Sequence, residues 1–369
     1  MNPTPKYTSL EQVQHDLRSG TTSCKALVQH YLERIAQSSD LNAYVEVYAE
    51  EALAKAEQLD QKIKDAPESL GRLAGMVLSH KDVICYKDHG VTGASKILEG
   101  FQSLFSATAV ERVLAEDAII IGRTNCDQFA MGSTNENSVY GPVKNAADPT
   151  RVPGGSSGGS AVSVQADTCL AALGTDTGGS VRQPAALCGV MGMKPTYGRI
   201  SRYGLLAYGS SFDQLGVITH SVSDASILME IMAGPDDFDS TASQQPVVAT
   251  NWDEPGQPRR IAYFETALHH ESMDPDVRQQ SLDFLEQLKA AGHHVEAVDF
   301  EYLDYIIPAY YVLTTAEASS NLARYDGIRY GYRSEGVSSL MDTYKKSRTE
   351  GFSEEVKRRI MLGTFVLSS

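Results

Sequence analysis

Two clusters of glycine and serine near the middle of the chain constrain its fold most strongly. The first, residues 154–160, reads GGSSGGS, and the second, residues 174–180, reads GTDTGGS. The apolar segment between them is long enough for one helix, over residues 160–166, and one strand, over residues 169–173. A helix followed by a strand can return the second cluster to the first. We therefore expect the serines of both clusters to lie at one place.

This arrangement suits the chemistry of acyl transfer. An enzyme that attacks a carbonyl group needs a hydroxyl nucleophile and free backbone N–H groups that hold the developing oxyanion. Thr177-Gly178-Gly179-Ser180 offers such a row of amides, because glycine supplies backbone without a side chain. A lone Gly/Ser cluster is more often a flexible linker. Two clusters at this spacing favour an enzyme site.

A serine becomes a good nucleophile only when a neutral base removes its proton. No motif connects the nine histidines to the glycine clusters, and His80 stands out only because it adjoins Lys81. A lysine serves as a base when burial lowers its pKa. The apolar runs over residues 76–78 and 83–84 are typical of a buried strand and its exit, and Lys81 lies between them, where the strand gives way to a loop. We therefore interpret Lys81 as the candidate base.

Two other interpretations of the first cluster stay open. Residues 155–159 match G-x-S-x-G, the nucleophile elbow of α/β-hydrolases, with Ser157 as the nucleophile and a histidine as its base. That elbow requires a buried strand directly before it, whereas residues 145–153 form a polar segment broken by proline. In a non-enzyme scaffold, both clusters are only turns.

Hydrophobic periodicity indicates alternating helices and strands, and hence an α/β fold. The opening 70 residues are typical of a helical layer, with one helix beginning at the cap Ser9 and a second beginning near Thr22 or Ser23. The remaining predicted helices span residues 50–63, 108–116, 221–232 and 276–291. The remaining predicted strands span residues 118–122, 260–264 and 294–298.

Charge and cysteine usage exclude several classes of protein. The formal net charge of −15 disfavours dominant nucleic-acid binding by this chain. The five cysteines are dispersed without a C-x-x-C pair, which fits reduced thiols in the cytoplasm. No apolar run is long enough to span a bilayer. We expect a cytoplasmic protein that does not contact membranes.

Over nearly its whole length the chain resembles the amidase signature family. The resemblance is carried by Lys81, by the cluster over residues 154–160, by GTDTGGSVRQPA over residues 174–185 and by GVMGMKPTYGRI over residues 189–200. It implies the amidase signature fold, a central mixed β-sheet covered by helices on both faces. It also implies a single domain over residues 1–369. The parts of that domain are a helical layer (1–70), a catalytic core (71–235) and a substrate-side α/β region (236–369).

The resemblance further implies a Ser-Ser-Lys triad and no metal. By position, Ser180 is the acylated nucleophile, Ser156 is the proton relay that follows a cis peptide bond, and Lys81 is the base. The oxyanion hole is formed by the amides from Thr177 to Ser180, including those of Gly178 and Gly179. Asp176 and Arg182 are expected to shape this glycine loop.

Three further features are similar to the glutamine-hydrolysing branch of the family, which serves tRNA-dependent amidotransferases. They lie at residues 125–133 (NCDQFAMGS), at residues 210–216 (SSFDQLG), and at residues 319–331 together with 354–360. In that branch a tyrosine and an arginine hold glutamine, and the arginine pairs with its α-carboxylate.

By position the substrate-binding residues are Tyr310 and Arg359, with Tyr311 and Arg358 as alternatives one residue away. Ser133 is expected to contribute to the same site.

The resemblance also implies partners, namely the B and C subunits of the amidotransferase. In the complexes of this branch the B subunit uses ATP and Mg²⁺ and binds the tRNA, and the C subunit tethers the amidase to it. This chain then needs no cofactor, and its ammonia converts Glu-tRNA(Gln) to Gln-tRNA(Gln), Asp-tRNA(Asn) to Asn-tRNA(Asn), or both. A stand-alone amidase acting on another amide is the alternative.

The resemblance also raises an expectation about the length of the chain at its C-terminal end. Family members of this branch are longer there and supply an acidic residue for the glutamine amino group, whereas residues 363–369 are mostly apolar. We expect the chain to be truncated.

Overall fold

The computed structural model describes residues 6–250 and 256–368. The chain divides into two compact units. The larger comprises Met1–Val248 and Thr314–Ser369, and the smaller comprises Ala249–Leu313. That residues 1–369 form a single domain stays a prediction, and each unit is described by itself.

Helices and strands alternate along the chain, as the periodicity predicts. The helices of the described residues are α1 (Leu10–Ser19), α2 (Cys24–Gln37), α3 (Ala49–Asp65), α4 (Thr108–Ala115), α5 (Gly158–Gln165), α6 (Arg182–Leu187), α7 (Val222–Met232), α8 (Glu265–Leu268), α9 (Pro275–Ala290), α10 (Ile306–Asn321), α11 (Leu340–Gly351) and α12 (Glu354–Leu367). The strands are β1 (Tyr44–Val47), β2 (Val77–Lys81), β3 (Ile119–Thr124), β4 (Ala171–Asp176), β5 (Met191–Met193), β6 (Gln214–Thr219), β7 (Arg260–Phe264) and β8 (His294–Val298).

The larger unit is built on one mixed sheet with the strand order β1-β3-β2-β4-β6-β5. β2 runs parallel to β3 and to β4, and the other neighbouring pairs are antiparallel. The four central strands are buried at every position. Strands covered on both faces need no polar alternation, which explains the run Ile119-Ile120-Ile121. The mixed α/β fold implied by the resemblance is confirmed.

α1 begins and ends where its capping residues predict, and α2 begins at Ser23, one of its two predicted caps. The Ser9 hydroxyl accepts the Gln12 N–H at 3.3 Å, and Gly20 ends α1 with a left-handed φ of 73°. Ser23 caps α2 in the same way, through the Ala26 N–H. Side-chain oxygens satisfy the unpaired amides of a first turn, and glycine adopts positive φ without a steric cost.

The segment predicted as a purely helical layer also contains the strand β1. This strand pairs antiparallel with β3 through an irregular register and is half-exposed. Its four residues are too few, and too exposed, to give a period that distinguishes them from a loop. β6 likewise had no predicted counterpart, because Gln214 and Gly216 interrupt its apolar run.

The smaller unit contains a parallel pair of strands, β7 and β8, connected through α9. The predicted strands over residues 260–264 and 294–298 and the helix over residues 276–291 are confirmed. Across the described stretches of both units, none of the helices has the length and apolar character needed to cross a membrane.

Candidate active site

Lys81 is the last residue of β2, between the neighbouring strands β3 and β4, and its side chain is 0% exposed. Its Nζ donates to Ser156 Oγ at 2.7 Å and to Thr175 Oγ1 at 2.9 Å. Thr175 belongs to β4, and Ser156 lies in the first glycine cluster. The lysine therefore joins the sheet to the first of the two serine clusters.

Burial changes the protonation of this lysine. Desolvation lowers the pKa of Lys81 from 10.5 to about 8, although the negative charges of Asp127, Asp176 and Asp213 oppose the shift. A lysine with an ordinary pKa is almost fully protonated near neutral pH. At pH 8, Lys81 offers a neutral amine in about half of the molecules. Such an amine can accept a proton from Ser156.

The two glycine clusters contact each other directly. Ser156 is fully buried, and the Gly155–Ser156 peptide bond is cis, as the resemblance implies. The next residue, Ser157, donates its backbone N–H to the Ser180 carbonyl oxygen at 3.1 Å. Ser180 is 7% exposed and lies in the loop after β4. The fold therefore brings Lys81, Ser156 and Ser180 together.

The hydroxyl of Ser157 is used in hydrogen bonds to the backbone. It donates to the Thr175 carbonyl oxygen at 3.1 Å and accepts the Thr175 N–H at 3.3 Å. These bonds connect the first glycine cluster to β4. The nucleophile of an α/β-hydrolase needs a hydroxyl that is not bonded to the backbone and that pairs with a histidine. The geometry therefore argues against Ser157 as the nucleophile.

Asp176, at the end of β4, holds the glycine loop. Its carboxylate accepts the Gly179 N–H at 2.8 Å and the Val181 N–H at 3.2 Å. Arg182 binds it through both Nε, at 3.0 Å, and Nη2, at 2.9 Å. Burial raises the pKa of Asp176, but the bonds from Arg182 and the loop amides outweigh it and hold that pKa below its usual value.

This geometry corrects one part of the predicted oxyanion hole. The Gly179 N–H already donates to Asp176, so it is not directed at a substrate oxygen. The predicted donors that remain are the amides of Thr177, Gly178 and Ser180. Residue type alone could not reveal this, because the direction of an amide depends on the turn that Asp176 imposes.

Arg359 on α12 is buried, with 8% of its surface exposed. Its Nε donates to Glu355 Oε1 at 2.9 Å, and its Nη1 donates to the Tyr208 phenol oxygen at 3.0 Å. Burial opposes its charge, but these partners raise the pKa of Arg359 above its usual value. Arg358 is exposed and lies 3.7 Å from Glu355. Arg359, not its neighbour, is therefore the buried cation of this helix.

Tyr310 and Tyr311 lie on the part of α10 that belongs to the smaller unit. Their ring centroids are 5.6 Å apart, and Tyr311 is 39% exposed while Tyr310 is half-buried. Their role in substrate binding, and the choice between them, stays a prediction.

Ser133 is exposed and connected to the first glycine cluster through a residue without a predicted role. Gln183 Nε2 donates to the Ser133 carbonyl oxygen at 2.9 Å, and Gln183 Oε1 accepts the Gly155 N–H at 2.9 Å. Gln183 follows Ser180 by three residues inside the motif that carries the resemblance. Its place in that motif is the signal by which the sequence could have revealed it.

Thr175 and Asp213 are two more site residues that sequence reasoning missed, although both lie inside the motifs of the resemblance. Thr177 Oγ1 donates to Asp213 Oδ1 at 2.7 Å. Among the residues that the structure describes, no group of three or more His, Cys, Asp or Glu side chains is placed to hold a metal ion.

The comparisons with known proteins agree with this geometry. A family model described as Amidase matches residues 26–369. A curated glutamyl-tRNA(Gln) amidotransferase A subunit, from Chlorobium phaeobacteroides (strain BS1), is 50% identical over 367 residues, which cover 98% of this chain and 76% of that protein. The protein of the same name from Chlorobium luteolum (strain DSM 273 / BCRC 81028 / 2530) is 51% identical, over 99% of this chain and 75% of its own length.

Solved structures extend the likeness to the fold. The crystal structure of the glutamyl-tRNA(Gln) amidotransferase A subunit from Thermotoga maritima is 35% identical with a TM-score of 0.72, covering 98% of this chain and 71% of that one. A crystal structure of an amidase is 31% identical with a TM-score of 0.79, covering 97% of this chain and 74% of that one. Because the family model spans most of the chain and relatives near 50% identity span nearly all of it, the chain belongs to the amidase signature family.

Proposed function

We propose that this chain hydrolyses glutamine as the ammonia-producing amidase component of a cytoplasmic, tRNA-dependent amidotransferase. The observation that carries the proposal is the 50% identity, over 98% of the chain, to the curated amidotransferase component from Chlorobium phaeobacteroides. In the proposed heterotrimer, the B subunit uses ATP and Mg²⁺ and binds tRNA, and the C subunit tethers this chain to it. The ammonia serves Gln-tRNA formation, Asn-tRNA formation, or both.

The contacts around Lys81 support a mechanism in two stages. Neutral Lys81 accepts the Ser156 hydroxyl proton while Ser156 accepts the proton of Ser180, and the Ser180 oxygen attacks the side-chain amide carbon of glutamine. Backbone amides of the loop over residues 177–180 hold the oxyanion. The proton returns through Ser156 to the departing nitrogen, which leaves as ammonia. Water then cleaves the acyl-enzyme by the reverse path and releases glutamate.

Substrate recognition is assigned to a buried cation. Arg359 keeps its charge despite burial, so it can pair with the α-carboxylate of glutamine. Ser133 is proposed to contribute to the same site, and Tyr310 is proposed as a further substrate-binding residue. An amide without an α-carboxylate gains nothing from Arg359, which favours an amino-acid amide such as glutamine over a simple aliphatic amide.

Replacement of Ser180 by alanine tests the proposal. The variant should lose ammonia release from glutamine by at least about 10³-fold, because the hydroxyl that forms the acyl-enzyme is gone. The matched control is Ser157→Ala, which should retain release, since that hydroxyl bonds to the backbone of Thr175. A sulfonyl fluoride should accordingly modify Ser180. Undiminished release by Ser180→Ala, or modification at Ser157, would contradict the assignment.

A stand-alone amidase acting on another amide is the second candidate. What supports it is the 31% identity, over 97% of this chain, to a crystal structure described only as that of an amidase. Ammonia release from glutamine, asparagine and an aliphatic amide, with and without the B and C subunits, separates the two. Glutamine-preferring release that rises with the partners supports the amidotransferase. Efficient hydrolysis of the aliphatic amide without partners supports the stand-alone enzyme.

A further inference from the structure

We propose that Tyr208 is a positioning residue that orients Arg359 for the carboxylate of the substrate and, through Asp213, connects that arginine to the glycine loop of Ser180. The inference rests on the proposed function, because it needs a substrate with a carboxylate. It assigns roles to two side chains that sequence reasoning left without one.

The first connection is between the tyrosine and the arginine. Tyr208 is 0% exposed, and its phenol oxygen accepts from Arg359 Nη1 at 3.0 Å while it donates to Thr314 Oγ1 at 2.9 Å. The guanidinium carbon lies 5.8 Å from the centroid of the tyrosine ring, within the range of a cation–π contact. The phenol holds Nη1 of the guanidinium, while Glu355 holds its Nε at 2.9 Å, so the tyrosine restrains the direction of the group.

The second connection runs from the tyrosine backbone to the glycine loop. Asp213 is buried, and its Oδ2 accepts the Tyr208 N–H at 2.9 Å. Its Oδ1 accepts the Gly209 N–H at 3.1 Å and the Thr177 hydroxyl at 2.7 Å. Charge-assisted hydrogen bonds of this kind are stronger than neutral ones. Asp213 therefore holds the backbone of Tyr208 and the first residue of the glycine loop at one carboxylate.

Together these contacts form a continuous chain from Thr177, which is partly exposed, to the buried residues Asp213, Tyr208 and Arg359. One end lies three residues before the nucleophile, and the other end is the proposed carboxylate ligand. Both ends share a support, so the distance between the bound carboxylate and the oxyanion loop is set by residues that need not touch the substrate. A substitution at the Tyr208 end and one at the Thr177 end should cause different kinetic defects, which makes the inference testable.

The test is steady-state ammonia release from glutamine by the full protein in its complex with the partner subunits. In Tyr208→Phe we expect KM to rise about tenfold with kcat within about twofold of wild type, because one hydrogen bond to a charged group is lost. Tyr7→Phe is the matched control, since Tyr7 is also buried and its hydroxyl also bonds to a side chain, that of Asp16, at 2.8 Å. It should leave both constants unchanged.

Two further variants separate positioning from simple loss of stability. If Tyr208 acts through Arg359, the KM of Arg359→Lys should not rise further when Tyr208→Phe is added. Thr177→Val cuts the other end of the chain and should lower kcat about tenfold with little change in KM. Additive effects in the double variant, or a Tyr208→Phe enzyme that matches Tyr7→Phe, would overturn the inference.

The same experiment distinguishes this inference from the proposed function. Absence of Ser180-dependent ammonia release in the wild-type complex contradicts the proposed function, and the inference falls with it. Ser180-dependent release together with an unchanged KM in Tyr208→Phe leaves the function standing and removes only the inference.

Discussion

At the scale of single residues, the protonation of Lys81 controls the chemistry. The side chain is fully buried, and the acids around it only partly compensate for lost hydration, so its pKa falls to about 8. A lysine used as a base must be neutral, and one used as a structural cation must be charged. The same shift therefore sets the pH dependence of activity and of stability.

The rate should follow the neutral fraction of Lys81. We expect kcat/KM for glutamine to rise about tenfold per pH unit below the pKa and to level off above an apparent pKa of about 8. Initial rates between about pH 6 and 9.5 measure this profile. A flat profile across that range would exclude Lys81 as the titrating base.

Stability should change with pH in the same direction. Below pH 8 Lys81 is protonated in both the folded and the unfolded chain, and the folded state bears the cost of a buried charge. Between pH 8 and 10.5 the folded state has released the proton and the unfolded chain has not, so the free energy of unfolding rises with pH. Relative to Lys81→Met, the wild type should gain up to about 3 kcal/mol across this window. Urea titrations of both proteins near pH 7 and pH 9.5 test it, and a difference that does not change with pH contradicts it.

At this scale, sequence reasoning named the reacting residues and, in Asp176 and Arg182, the residues that hold their loop, but it missed Tyr208. Lys81, Ser156 and Ser180 were predicted from residue type and motif, and the fold brings them together. Tyr208 lies outside every motif of the resemblance, and its side-chain contacts are with Thr314 and Arg359, more than a hundred residues away along the chain. A side chain whose role depends on such distant partners leaves no local pattern.

At the scale of elements, close packing at the start of α5 explains the paired glycines of the first cluster. A side chain at Gly159 would place its Cβ 2.6 Å from the Ala43 carbonyl oxygen and 2.8 Å from the Asn125 nitrogen. Both are backbone atoms and cannot rotate away. The glycines therefore allow the helix that follows Ser156 to approach the sheet, in addition to exposing amides.

Gly159→Ala should for this reason be strongly destabilising, by about 3 kcal/mol or more, because overpacking against backbone forces the helix to shift. Gly100→Ala is the control for glycine replacement in general, since a Cβ there meets no atom within 4 Å, although its φ of 76° adds local strain. Thermal unfolding of both variants measures the contrast. A Gly159→Ala protein as stable as Gly100→Ala would contradict the packing argument.

Helices and strands long enough to show a complete hydrophobic period were predicted well, and the short strands at the edges of the sheet were not. Apolar runs predict the buried strands β2 and β3, and capping residues predict the starts of helices α1 and α2. Few other structures satisfy these patterns. β1 is stabilised by pairing with β3, and β5 has only three residues. Strands of this length form because a neighbour is present, which a local window cannot detect.

At the scale of the whole molecule, the net charge of −15 bears on how the proposed complex divides its work. An acidic surface repels the phosphate backbone, so tRNA must be held elsewhere. We expect this chain alone to bind tRNA no more tightly than about 100 µM at physiological salt, and the complex to bind it far more tightly. Fluorescence anisotropy with labelled tRNA compares the two. Micromolar binding by the isolated chain would contradict this division.

The strand order has a consequence for rearranging this protein. Lys81 ends β2, and the loop of Ser180 follows β4, and these two strands are parallel neighbours. Adjacent strands lie about 4.8 Å apart whatever the length of the chain that joins them. Insertions beside Leu104, which lies in the part of the joining segment before β3 and is 81% exposed, should leave the reacting groups in register. The exposed stretch at Leu104 is thus a place where a reporter or a new binding loop can be grafted onto a working enzyme.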